Sequence, residues 1–165
     1  MSWTIAPVEV ADADEMGRVH VRVWQEAYAG LMPADHLAAL DPVAFASGWR
    51  RQLVDPVPDV HTWAARDDTG IVGLTTSGPG RDEDPPTPLE LYAINVLARC
   101  HGTGIGQALL EQAIGDRAAY LWVLDGNARA TAFYRRHGFA DDGGLKPEPG
   151  TGLTEIRMTR AGGIA

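Results

Sequence analysis

The stretch His101-Gly102-Thr103-Gly104-Ile105-Gly106 places glycine at every second position. Its neighbours decide how it reads. Before it, Leu89 to Leu97 is apolar on both faces, as a central strand covered by helices would be. After it, Ile105, Ala108, Leu109 and Ala113 recur at helical spacing up to Gly115. A strand that turns into a helix through bare backbone lets successive N–H groups converge with the positive end of the helix. That arrangement receives a phosphate or pyrophosphate. The same glycines would equally serve a tight strand-to-helix turn that binds nothing, and the motif alone leaves both readings open. It is not a dinucleotide fingerprint, because Gln107 stands where the third glycine of G-x-G-x-x-G belongs. Nor is it a Walker loop, because no G-K-[ST] follows.

Working toward the amino terminus, Ser77 to Pro88 holds two glycines and four prolines and is expected to be a loop. Val60 to Ala65 and Ile71 to Thr76 read as hairpin strands joined by the turn Asp67-Asp68-Thr69-Gly70. Thr4 to Val8 is extended. Asp12 and Asp14 then open a helix on which Met16, Val19, Val23, Trp24, Ala27, Tyr28 and Leu31 share a stripe, until Gly30 and Pro33 break it. One or two short helices are expected from Pro33 to about Leu53. Toward the carboxyl terminus, Tyr120 to Leu124 is a short strand, and a helix from near Asn127 carries Ala130, Phe133, Tyr134 and His137 before Gly138 ends it. Two closing strands lie around Phe139 and from Leu153 to Arg160. The whole chain, residues 1–165, is expected to be one α/β domain with a sheet of mixed strand order.

Composition narrows the function classes. The 165 residues are 45% hydrophobic and 22% charged, near the globular average. A net charge of −8 has the wrong sign for a phosphate backbone, so nucleic acid is not an expected partner. Such acidity would suit a cationic small molecule or a basic peptide, although solubility alone explains it as well. One cysteine, Cys100, excludes an internal disulfide and suits a reducing compartment. The five histidines lack metal-ligand spacing, and no metal is expected. The beginning of the chain shows no signal-like pattern and no run is long enough to span a bilayer, so the expected location is cytoplasmic, with no membrane partner.

A second segment, Leu121-Trp122-Val123-Leu124 followed by Asn127, Ala130, Phe133-Tyr134 and Gly138-Phe139, gives the glycine turn its context. Here the chain resembles the GCN5-related N-acetyltransferases, the GNAT superfamily. The glycine turn matches that family's pyrophosphate loop, [QR]-x-x-G-x-[GA], and N-x-x-A-x-x-F-Y-x-x-x-G-F is complete from Asn127 to Phe139. The likeness extends from Trp24-Gln25-Glu26-Ala27-Tyr28 to the closing Glu155-Ile156-Arg157-Met158. One position departs: His101 stands where the family has Gln or Arg.

The resemblance implies an α+β fold of GNAT type: a largely antiparallel sheet splayed at the acyl-CoA site, with helices on both faces. It also implies acetyl-CoA as co-substrate and direct transfer of the acetyl group to an amine, so Cys100 is not needed as a nucleophile. Cofactor contacts would come from His101, Gly102, Thr103, Gly104, Ile105 and Gly106 around the pyrophosphate. Asn127 and Phe133 would hold the pantetheine arm, and the Val96 N–H would serve the oxyanion. An amine with a pKa near 10 must lose a proton before attack. Glu90, six residues before Val96, is the candidate base, its pKa expected to be raised by burial among Leu89, Leu91 and Tyr92. The alternative is a solvated strand end. Tyr134 is the candidate acid for the leaving thiolate. Trp24, Tyr28 and Asn95 are candidate acceptor-pocket residues, although aromatics at helical spacing are usually core, and Asp82-Glu83-Asp84 reads as a solvated acidic turn rather than a lure for a cationic acceptor. The expected function is an N-acetyltransferase for a primary amine of a small molecule. The alternatives are a protein or peptide N-acetyltransferase and an acyl-CoA-binding module without turnover. The residues do not give the oligomeric state; because members of the family are often dimers, the resemblance leaves a homodimer as a candidate assembly.

Overall fold

A computed structural model describes residues 2–163. After β1 (Thr4–Pro7) and a 3₁₀ turn at Val10–Asp12 comes α1 (Ala13–Ala27), which buries Met16, Val19 and Val23 against Leu74 and Ile71 of the sheet. Removing side chains of this size from water stabilises the fold by about 1.5–3 kcal/mol each. The helix opens with Asp14 and Glu15 at its positive end. Next come α2 (Ala34–Ala38) and α3 (Pro42–Val54). The latter is capped by Asp41, whose carboxylate accepts the Val43 N–H at 2.9 Å, with Pro42 in the first turn, where a missing N–H does no harm.

The hairpin is β2 (His61–Asp67) and β3 (Gly70–Pro79). Here the expected boundary moves, because β3 runs past Thr76. Ser77, Gly78 and Pro79 pair with Leu91, Glu90 and Leu89 after a bulge, and the loop begins only at Gly80. Proline and glycine are tolerated because they sit at the strand's end, where fewer ladder bonds are needed. Then follow β4 (Leu89–Val96), a 3₁₀ turn at Ala98–Cys100, α4 (Ile105–Ile114), β5 (Ala119–Leu124), α5 (Ala128–Arg136), β6 (Ala140–Pro147) and β7 (Thr154–Arg160).

The seven strands form one sheet in the order β1-β2-β3-β4-β5-β7-β6. All pairs are antiparallel except β4 with β5, whose parallel ladder holds one pair, Glu90 opposite Tyr120. Beyond that pair the two central strands part. Cross-strand partners share a face, so the packing sorts the sheet into two sides. Leu91, Leu121, Val123 and Met158 pack with Leu110, Ala113 and Ile114 of α4 and with Tyr134 of α5. Leu74 and Ala64 lie under α1 on the opposite side. The expected mixed, largely antiparallel α/β sheet with helices on both faces is the observed fold. No helix among the described residues is long and apolar enough to cross a membrane.

Candidate active site

β4 and β5 pair only at Glu90 and Tyr120, and the candidates Asn95 and Val96 lie on the unpaired length of β4. Leu97 N–H bonds to Val72 C=O at 3.0 Å, and Val96 lies opposite Gly73. Bonded and non-bonded pairs alternate in an antiparallel ladder. The N–H and C=O of Val96 therefore turn away from β3, toward the gap. That carbonyl already has a partner, since His101 Nε2 lies 3.1 Å from Val96 O.

The glycine turn closes one end of the gap. Gly102 and Gly104 have φ of 77° and 88°, left-handed values that side chains resist, and Gly104 is the N-cap of α4. A Cβ at either position would meet open space, so backbone conformation rather than crowding demands glycine there. Gly106 is different. A Cβ there would come 3.3 Å from the Phe133 ring, so its absence lets α5 pack against the first turn of α4. The outcome is a turn of exposed backbone from His101 to Gly104 whose N–H groups, with those of Ile105 and Gly106, head a ten-residue helix. Thr103 turns its hydroxyl inward to Cys100 O at 2.6 Å, and Cys100 itself is buried.

Asn127 sits at the head of α5 and uses Oδ1 to accept the Ala130 N–H at 3.2 Å. Its amide nitrogen has no bond among the described residues. One turn on, Phe133 covers Gly106, and Tyr134 packs edge-on to Phe139 at 5.8 Å between ring centres. Tyr134 is 8% exposed, and its hydroxyl bonds to no described residue. Burial pushes this phenol up, and the nearby Tyr28 adds to the effect. Tyr134 therefore keeps its proton throughout the neutral range.

Tyr28 belongs to α1's end, on the sheet's other side. Burial, and then the charges of Glu155 and Glu148, push it up to about 12. Its ring meets Trp24 edge-on at 5.2 Å, and Trp24 continues into Phe45 and His20. Asn95 lies opposite Leu74 and so on the α1 side; it is buried, with no side-chain bond among the described residues. Trp24 and Tyr28, which pack against Leu124 of β5, and Asn95 of β4 thus lie on the side of the sheet opposite α5.

Glu90 is not a solvated strand end: it is 1% exposed. Its Oε1 accepts Arg81 Nη2 at 2.7 Å. Its Oε2 accepts Arg81 Nε at 3.2 Å, the Arg81 backbone N–H at 2.9 Å and the Tyr120 hydroxyl at 3.0 Å. Desolvation works against the Arg81 charge, but Glu90 outweighs it and holds the guanidinium above its ordinary value, where it also stacks 3.8 Å over Tyr92. Asp82, expected as part of a solvated turn, is a correction. Its carboxylate accepts Trp122 Nε1 and Arg157 Nη1, both at 3.0 Å. A loop residue so rich in acidic neighbours finds inward partners because β5 and β7 bring a donor pair beneath it. Arg81, Tyr120, Trp122 and Arg157 escaped the sequence reading. They are far apart in the chain and share no spacing that marks them as a group. Among the described residues no three His, Cys, Asp or Glu form a group able to hold a metal ion.

Comparison with known proteins agrees with this geometry. Residues 58–141, just over half of the chain, match the model of the acetyltransferase (GNAT) domain. The uncharacterised N-acetyltransferase YuaI of Bacillus subtilis is 28% identical over 141 residues, covering 81% of this chain and 78% of that protein. In fold, the chain is similar to the PaiA N-acetyltransferase of Thermoplasma acidophilum, solved in complex with coenzyme A. The TM-score is 0.73 at 17% identity, covering 98% of this chain and 99% of that one. A protein of Corynebacterium glutamicum described as histone acetyltransferase HPA2 and related acetyltransferase gives a TM-score of 0.71 at 24% identity, covering 100% and 99%. With its domain match spanning the hairpin, the parted strands, the glycine turn and α5, the chain belongs to the GNAT acetyltransferase family and is an acyltransferase.

Proposed function

We propose that the protein transfers the acetyl group of acetyl-CoA directly to a primary amine, with a small molecule as acceptor. The observation that carries this reading is the gap itself. Support comes from what surrounds it: β4 and β5 part after one pair, the Val96 N–H faces away from β3, Tyr134 packs against Leu91 and Val123 of the two strands, and the glycine turn follows β4. In this reading the pyrophosphate lies on the turn, held by backbone donors and the positive end of α4, so the chain's charge of −8 does not oppose it. His101, at the exposed edge, lies beside the pyrophosphate, and Thr103 and Ile105 contribute only their backbone. The pantetheine arm runs past Asn127, which offers its amide nitrogen, and past Phe133.

The thioester carbonyl rests by the Val96 N–H, which takes up the negative charge that grows on its oxygen as the amine attacks. Tyr134 donates its proton to the departing thiolate. Trp24, Tyr28 and Asn95 line the acceptor side, where Glu148 and Glu155 beside Tyr28 favour a cation. The ammonium proton passes to water in the gap, so kcat/KM rises with pH as the free-amine fraction rises. The test is a panel of small amines and amino-terminal peptides scored by release of the CoA thiol, with product masses checked for one added acetyl group. Release with small amines supports the reading. Release with peptides only moves the acceptor to protein, and tight binding of acetyl-CoA without release on any amine leaves a binding module.

A further inference from the structure

The groups around Glu90 sit where the sheet divides. Glu90 and Tyr120 are the last paired residues of β4 and β5, and one step on along each strand the ladder has ended. Across this point lies the loop after β3. Its Arg81 holds Glu90 on β4 through the guanidinium and backbone, and its N–H and that of Asp82 both point at the Tyr120 hydroxyl on β5, at 3.0 and 3.2 Å. Asp82 then takes Trp122 of β5 and Arg157 of β7. Two consecutive loop residues are thereby fastened to three strands at the apex of the gap.

We propose that Glu90 is a positioning residue: with Arg81 and Tyr120 it staples the 80–88 loop across the apex of the gap and fixes the acceptor's entrance, and it does not take the amine's proton. The chemistry of the carboxylate argues for this. Four donors already point at its two oxygens, so an incoming proton would make a donor of a group surrounded by donors. Protonation would also remove the charge that Arg81 pairs with, at a carboxylate that is only 1% exposed. Burial and the Glu90 charge push Tyr120 up to about 12, which keeps it the donor in its bond to Glu90. Arg81, by contrast, is half exposed, so loosening the staple leaves its charge in water rather than stranded.

The assignment rests on the acetyl-transfer reading for its kinetic test but not for its structural one. Glu90→Gln, Arg81→Gln and Tyr120→Phe are each measured for amine KM, kcat, the pH profile and hydrogen exchange at the Arg81 and Asp82 amides, with melting temperature as the folding control. The expected result is the same for all three: amine KM up about fivefold or more, kcat within about threefold, an unmoved acid limb of the pH profile, and exchange at both amides about tenfold faster. A Glu90→Gln enzyme that alone loses about a hundredfold in kcat and its acid limb, with the other two normal, overturns the proposal in favour of a base. Unchanged KM and exchange in all three overturns it as well. If the wild type acetylates nothing, the acetyl-transfer reading fails, while the exchange rates still decide whether the staple exists.

Discussion

On one flank of the gap, the turn from His101 to Gly106 is six consecutive residues offering backbone. On the other, the cluster of Arg81, Asp82, Glu90, Tyr120, Trp122 and Arg157 draws side chains from one loop and three strands. The first is built from local rules, since left-handed φ at Gly102 and Gly104 and the start of α4 suffice to aim the N–H groups. The second exists only because the sheet brings remote segments together. A backbone cradle can be kept while surrounding side chains change, so on the proposed reading the donor flank is fitted to a constant ligand, acetyl-CoA. A cluster of side chains changes with every substitution, so on the proposed reading this flank, at the acceptor's entrance, is where specificity is set.

Predictions can break or sharpen this contrast. The largest effect is expected where both flanks converge. Tyr134→Phe should lower kcat about a hundredfold by removing the acid, with acetyl-CoA affinity nearly unchanged because the ring still fills its place. Steady-state kinetics beside calorimetric titration would show it, and a near-normal kcat removes Tyr134 from the chemistry.

The next effect is on stability and belongs to the helices behind the acceptor flank. His20 accepts a hydrogen bond from Trp49 Nε1 at 3.2 Å, and burial lowers its pKa to about 4. A histidine depressed in the folded state binds its proton more readily when unfolded. Stability is therefore lost as pH falls from about 6.5 toward 4, by about 2 kcal/mol at pH 5. His20→Gln should keep an acceptor for Trp49 and flatten the fall in melting temperature between pH 7 and 5. An equally steep fall in the variant assigns acid sensitivity elsewhere.

Smaller again is Gly104→Val. Forcing a β-branched residue to a φ of 88° strains the turn by about 1–3 kcal/mol, and acetyl-CoA should bind about tenfold more weakly while amine KM holds. An unaltered affinity means that the turn is not the pyrophosphate site. The smallest is Trp122→Phe, which removes the indole bond to Asp82 but leaves Arg157 in place. Amine KM should rise about fivefold, the size of one ordinary hydrogen bond of about 1 kcal/mol, with acetyl-CoA affinity constant. If instead the donor's affinity moves, the two flanks are not independent.

What could be read from residues alone follows the same divide. The helical stripe of Met16, Val19 and Val23, the hairpin turn at Asp67–Gly70 and the helix start near Asn127 are local patterns whose cause lies within one turn or one ladder step. The loop begins three residues later than its composition predicts because a bulge lets Ser77–Pro79 keep pairing, and a bulge leaves no compositional trace. Burial of Glu90 was expected from its apolar neighbours. Its partners were not, because Arg81 and Tyr120 lie 9 and 30 residues from it in the chain.

The sequence by itself determined the strand, the glycine turn, the helix and the Asn127-to-Phe139 pattern, and with them the family. Each depends on backbone geometry and periodicity that a few neighbouring residues impose. Only the tertiary structure decided that β4 and β5 part after a single pair, that Tyr134 and Tyr28 approach each other from opposite faces, and that Glu90 is held by Arg81 and Tyr120. Those facts arise from long-range pairing and desolvation, which no short window of residues contains.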